Sequence, residues 1–184
     1  MRYLGRSALL LLLASGAASA GERAYLVRSV EDPNVPPDPS VCASAPFRTN
    51  VVLNASLYTT FTRILRDGKV VDDDVKKVGT AYACGEITNL AFPSGTQQNF
   101  YAKFNLPSGS FTGVGTCTLV SNDVPVGGLV LAGCNLKIIG APEGLVGGII
   151  SSASVLNPFQ LPGFTTGSYW TIFAYDQGSA TPAP

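Results

Sequence analysis

The sequence predicts an all-β fold, a small antiparallel β-barrel of eight strands preceded by a proline-rich N-terminal segment. Three observations lead to it. From Phe47 onward the chain breaks into short β-rich runs separated by Gly, Pro, Ser and Asn. No long helical periodicity survives anywhere. Two near-identical motifs, Pro93-Ser94-Gly95-Thr96 and Pro107-Ser108-Gly109-Ser110, separate apolar runs as hairpin turns do.

The N-terminal 20 residues read as a removable leader. Arg2 and Arg6 supply positive charge, Ala8 to Ala14 is a short apolar run, and Ala18-Ser19-Ala20 offers the small residues of a cleavage site before Gly21. The run is far short of the roughly 20 residues that span a bilayer. Domain organisation follows: 1–20 leader, 21–46 extended N-terminal segment, 47–177 barrel, 178–184 disordered tail. Export, secreted or periplasmic, is the expected address.

Arg23 to Val30 is a short candidate strand. Asp32 to Pro39 (DPNVPPDP) reads as an extended surface linker, since its prolines bar helix and central strand alike. The remaining strands are placed at 47–53 or 57–66, then 79–90, 97–106, 111–121, 128–139, 145–156 and 168–175. If the two turn motifs are tight hairpins, Glu86 stands opposite Lys103. Phe104, Ala102 and Phe100 then stand opposite Gly113, Gly115 and Cys117. Alternation places Ala83, Ile87, Phe100, Ala102, Phe104, Leu106, Phe111, Cys117 and Leu119 on a core face. Thr80, Tyr82, Cys84, Glu86, Tyr101, Lys103, Asn105, Thr116 and Thr118 share a wet face. Gly113 and Gly115 suit a strongly bent strand in a closing barrel.

The same register pairs the four cysteines. Cys117 falls opposite Cys134 across the turn Ser121 to Gly127. Cys84 lies two strands from Cys117, too far to bond it. It faces outward, where Cys42 could staple the N-terminal segment. Cys42–Cys84 and Cys117–Cys134 are therefore expected, in keeping with an oxidising compartment.

Composition excludes much chemistry. The chain has no histidine, so Ser-His-Asp and Cys-His catalysis and histidine-bound zinc are excluded. No close cysteine pair or calcium-loop spacing exists, so no metal and no cofactor are expected. The Asp72-Asp73-Asp74 and Lys76-Lys77 cluster reads as a solvated loop. No basic run exists, which argues against nucleic acid. Asn54-Ala55-Ser56 matches a glycosylation triplet. The cysteines, the proline-rich start and the non-aromatic C-terminus argue against a membrane-inserted barrel. A homo-oligomer is compatible with the sequence.

Few polar residues qualify as catalytic candidates. Glu86 with Lys103 forms an exposed cross-strand pair, or an inward acid–base couple if the register slips by one. Glu143, in Gly140 to Gly144, either reaches over a barrel mouth or is simply solvated. Arg63 either points inward with Phe61 and Leu65, or snorkels at an edge. Tyr169, Phe173 and Tyr175 share one face of the last strand, with Trp170 on the other. Tyrosines there would orient a lipophilic substrate, or the aromatics simply fill the core. Arg63, Glu86, Tyr169 and Tyr175 are the catalytic candidates. Phe100, Phe104, Phe111, Leu119 and Phe173 are the cavity candidates.

The run Gly79 to Tyr175 resembles the allene oxide cyclase-like barrel superfamily, which includes dirigent proteins. The resemblance is carried by Phe111-Thr112-Gly113-Val114-Gly115 after Ser108-Gly109-Ser110, by the paired strand that follows, and by Gly147-Gly148 ahead of another short strand. It implies an eight-stranded barrel with a hydrophobic cavity. It also implies a cofactor-free cyclase or isomerase that steers cyclisation or coupling of lipophilic intermediates by confinement. Cys117 and Cys134 fall outside that pattern, and no family acid or tyrosine maps onto a position here. No catalytic residue is carried over. A non-catalytic secreted or periplasmic binding or structural domain is the other reading.

Overall fold

The computed structural model describes residues 21–64, 67 and 70–176. The proposed leader and the C-terminal tail lie outside them. Eight strands, β1 (Glu22–Glu31), β2 (Val51–Ile64), β3 (Val70–Glu86), β4 (Gln97–Leu106), β5 (Gly109–Ser121), β6 (Val130–Gly140), β7 (Leu145–Leu156) and β8 (Gly167–Asp176), form a closed antiparallel barrel in sequence order. β1 pairs with both β2 and β8, so the barrel begins at Glu22 and not near residue 47. Closure gives each strand a paired neighbour on both sides.

Hairpin lengths correct the expected register. The β4–β5 turn is only Pro107-Ser108, because Gly109 already pairs with Leu106 at a φ of +119° that glycine tolerates. Phe104, Ala102 and Phe100 therefore stand opposite Phe111, Gly113 and Gly115. Between β3 and β4 lies a longer loop, 87–96, so Glu86 meets Asn99 and Lys103 meets Tyr82. Both displacements are even numbers of residues, so every side chain keeps its predicted face. Asp72-Asp73-Asp74 is strand and not loop: it pairs with Thr60, Phe61 and Thr62 where β2 and β3 run past their neighbours.

The barrel has two ends of different character. At the end bearing the β2–β3, β4–β5 and β6–β7 turns the interior is solid. Phe104, Phe111, Leu136, Ile150 and Ile172 are almost fully buried there, and Tyr25 packs on Phe111 at 5.1 Å between ring centres. Gly115 permits this packing, since a Cβ at that position would stand 2.2 Å from the Asn135 carbonyl oxygen of β6. The other end carries the N-terminal strap 32–50 and the loops 87–96, 122–129 and 157–166.

The strap is not a plain linker. It contains a short helix α1 (Pro39–Ala43), with Pro39 in the first turn, where its missing N–H costs nothing, and Asp38 capping the Ser40 amide at 3.1 Å. Val35 and Val41 bury themselves over Tyr82, Cys84 and Tyr101 on the outside of β3 and β4. Part of the predicted wet face is thus a second small core. Burial there raises the Tyr101 pKa by desolvation. Asp32 ties the strap down, accepting from the Ser56 hydroxyl at 2.5 Å with Lys77 Nζ 3.6 Å away. Cys42–Cys84 staples the strap to β3, and Cys117–Cys134 joins the neighbouring strands β5 and β6 on their inner face. Both pairings are those expected, and they fit an oxidising environment. Among the described residues no helix is long and apolar enough to cross a membrane.

Candidate functional site

The cavity occupies the strap end of the barrel. Inner-facing residues from all eight strands wall it, because alternation sends every second side chain inward. Its floor is Trp170. The Phe104 ring meets Trp170 edge-on at 5.0 Å, and Phe100 stacks beside it at 6.4 Å. Leu119, Ala132 and the Cys117–Cys134 disulfide form one wall, and Leu53, Ala81 and Ala83 another. Cavity volume is about 80 Å³. At roughly 10–15 Å³ per water, the enclosed part suits a compact ligand and not a long acyl chain.

Phe92 closes part of the mouth. It is buried among Ile87, Leu119, Val130, Ala132 and Leu156, yet its φ is +47°. Left-handed backbone is costly for an aromatic residue, so the burial of its ring must offset it.

Polar groups inside are few, and nearly all are used. Trp170 Nε1 donates to Ser29 Oγ at 3.0 Å, and Ser29 Oγ donates to the Ser168 carbonyl at 3.5 Å. Ser168 Oγ donates to Ser154 Oγ at 2.8 Å, and Ser154 and Ser152 share a hydrogen bond of 2.8 Å. Gln98 differs. Its Oε1 accepts from the Thr88 amide at 3.2 Å, but its buried Nε2 has no hydrogen-bond partner. Among the described residues two titratable side chains lie along the cavity. Glu31 is exposed at the mouth, and Tyr82 packs under the strap.

The predicted cavity residues divide. Phe100, Phe104 and Leu119 line it. Phe111 is buried in the solid half below. Phe173 shares the outer face of β8 with Tyr169 and Tyr175, which are 41% and 44% exposed. The alternation along β8 is as predicted, but the inward stripe is Ser168, Trp170, Ile172 and Ala174. Tyr169 instead meets the Arg28 guanidinium at 5.5 Å.

The acid candidates also lie outside the cavity. Glu86 Oε2 accepts from Asn99 Nδ2 at 2.8 Å on the outer wall, without Lys103. Glu143 is exposed in the turn at the solid end, away from the mouth. Arg63 stands in β2 opposite Val71, and its side chain lies outside the described residues. Asn54 is mid-strand with its Oδ1 buried, a poor site for a glycan. Among the described residues no group of three or more His, Cys, Asp or Glu could hold a metal.

Sequence reasoning missed Gln98, Phe92 and the serine chain. The signal for Gln98 is present: it is the one polar residue in the inward register Gln98, Phe100, Ala102, Phe104. No protein-family model, curated protein or solved structure matches this chain.

Proposed function

We propose that this protein is an exported β-barrel that binds a small lipophilic molecule in its strap-end cavity and steers that molecule's cyclisation or coupling by confinement. One observation carries the reading: half of the barrel interior is packed solid, while the other half is left open and walled by apolar side chains. Confinement suits a wall that is mainly apolar and that carries, among the described residues, a single carboxylate, Glu31 at the mouth. Export supplies the oxidising compartment that both disulfides need, with cleavage before Gly21.

The other reading is a non-catalytic binding or structural domain, favoured by the small enclosed volume. Trp170, the sole tryptophan, sits at the cavity floor and reports directly. Titration with small apolar probes should change its fluorescence saturably, and native mass spectrometry should find a lipophile retained after mild purification. No saturable change with any probe, together with a ligand-free mass, defeats the binding reading. Saturable binding with no turnover of any cyclisable probe would leave a carrier and remove the enzyme.

A further inference from the structure

Gln98 assigns a chemistry to the cavity. The residue sits on the inner face of β4 opposite Cys117 and is 5% exposed. Its amide orientation is fixed: turning it over would set an NH₂ against the Thr88 N–H, two donors facing each other. Nε2 is thus held as a donor without an acceptor, on a cavity whose lining includes Ile87, Phe92, Phe100 and Leu119. Buried donors in native proteins are nearly always paired, so an orphan on a cavity wall points to a missing partner. The neighbouring polar groups do not supply one: the serines and Trp170 Nε1 bond among themselves, and the other orphaned buried atom among the described residues, the acceptor Asn54 Oδ1, belongs to β2 beside Tyr82 and makes no bond to Nε2.

The rest of the lining narrows the partner. Among the described residues no Lys or Arg lines the cavity, and Glu31 stands at its mouth. A buried carboxylate would have no counter-charge and would meet a like charge on entry. A pure hydrocarbon would leave Nε2 unpaired. We propose that the cavity takes a small neutral lipophile bearing a carbonyl or ether oxygen, with that oxygen on Gln98 Nε2 near the mouth and the hydrocarbon body against Trp170. This rests on the ligand-binding reading above and adds the ligand's chemical class and its orientation.

The test uses three compounds of matched shape: cyclohexanone, methylenecyclohexane and cyclohexanecarboxylate. Each is titrated against the full mature protein by Trp170 fluorescence and calorimetry. The ketone should bind about tenfold more tightly than the alkene, the ratio that corresponds to about 1.4 kcal/mol, and the carboxylate should not bind. In Gln98→Met the ketone should fall to the alkene's affinity while the alkene's affinity holds, with thermal unfolding confirming that the variant folds. Equal binding of ketone and alkene by the parent protein, or a ketone preference that survives in Gln98→Met, overturns the assignment while leaving the cavity a binding site. Binding of neither ketone nor alkene overturns the underlying reading as well.

Discussion

Replacing Cys42 by serine cuts the strap from β3 while leaving Cys84 in place, fully buried. The crosslink spans 42 residues of sequence. Treated as loop closure in the unfolded chain, its loss should cost about 3.9 kcal/mol at 25 °C. For a chain of this size that lowers Tm by roughly 8–16 °C. The effect acts on the unfolded ensemble, which gains freedom and exposes more surface, so the urea m-value should rise as the midpoint falls. Equilibrium urea unfolding followed by Trp170 fluorescence reads both quantities. Because the strap packs on the outside of β3 and β4, probe affinity in the cavity should not change. A stability loss under about 1 kcal/mol would refute the chain-entropy argument. A full loss at unchanged m would place the damage in the folded strap, in the packing of Val35 and Val41.

Phe104→Ala removes a ring that is 1% exposed and packed edge-on against Trp170, and should cost about 3–5 kcal/mol in urea unfolding with a shifted Trp170 emission. Gly115→Ala forces a Cβ towards the Asn135 carbonyl, which belongs to backbone and cannot swing aside; a loss of about 1–3 kcal/mol is expected by calorimetry, and an unchanged Tm would mean that β5 and β6 lie further apart than described. Hydrogen bonds from the Ser56 hydroxyl and the Asn34 amide, with Lys77 nearby, lower the Asp32 pKa from 3.8 to about 2. A depressed carboxylate stabilises the folded state above its unfolded pKa and loses that contribution as pH falls through the folded value. The urea midpoint should therefore hold above about pH 4 and decline towards pH 2, and Asp32→Asn should flatten that part of the profile.

How much was legible in the sequence depended on which physical rule governed each feature. Alternation is local, so the sorting of β3, β4 and β5 into inner and outer faces survived register errors at both turns. The cysteine pairing followed from strand order and reach, which short-range geometry sets. Turn length was not legible: two similar Pro-Ser-Gly motifs gave a two-residue turn in one place and the end of a ten-residue loop in the other, because Phe92 finds a buried site that only the closed barrel creates. The direction of β8 was likewise a tertiary matter. Tyr169, Phe173 and Tyr175 look as suitable for a cavity as Trp170 does, and the interior volume left by the other seven strands decides between them. The strap's burial was hidden for a related reason, since Asp32 to Pro39 reads as linker until Tyr82 and Tyr101 give Val35 and Val41 something to cover.

Where β1 meets β8, the Gly21 amide donates to an Asp176 carboxylate oxygen at 2.6 Å and the Asp176 amide donates to the Gly21 carbonyl at 3.0 Å. Cleavage before Gly21, as proposed, converts that amide nitrogen into a free α-ammonium already resting against a carboxylate, with the Arg23 guanidinium 3.7 Å away. Precursor and mature chain then differ in the latch that holds the first strand to the last: a neutral amide on a carboxylate before processing, an ammonium–carboxylate pair after it. A Cβ on residue 21 would sit 2.6 Å from the same carboxylate oxygens. The smallest residue therefore stands both at the proposed cleavage point and where the barrel closes, and trimming the chain there would itself tighten the ring.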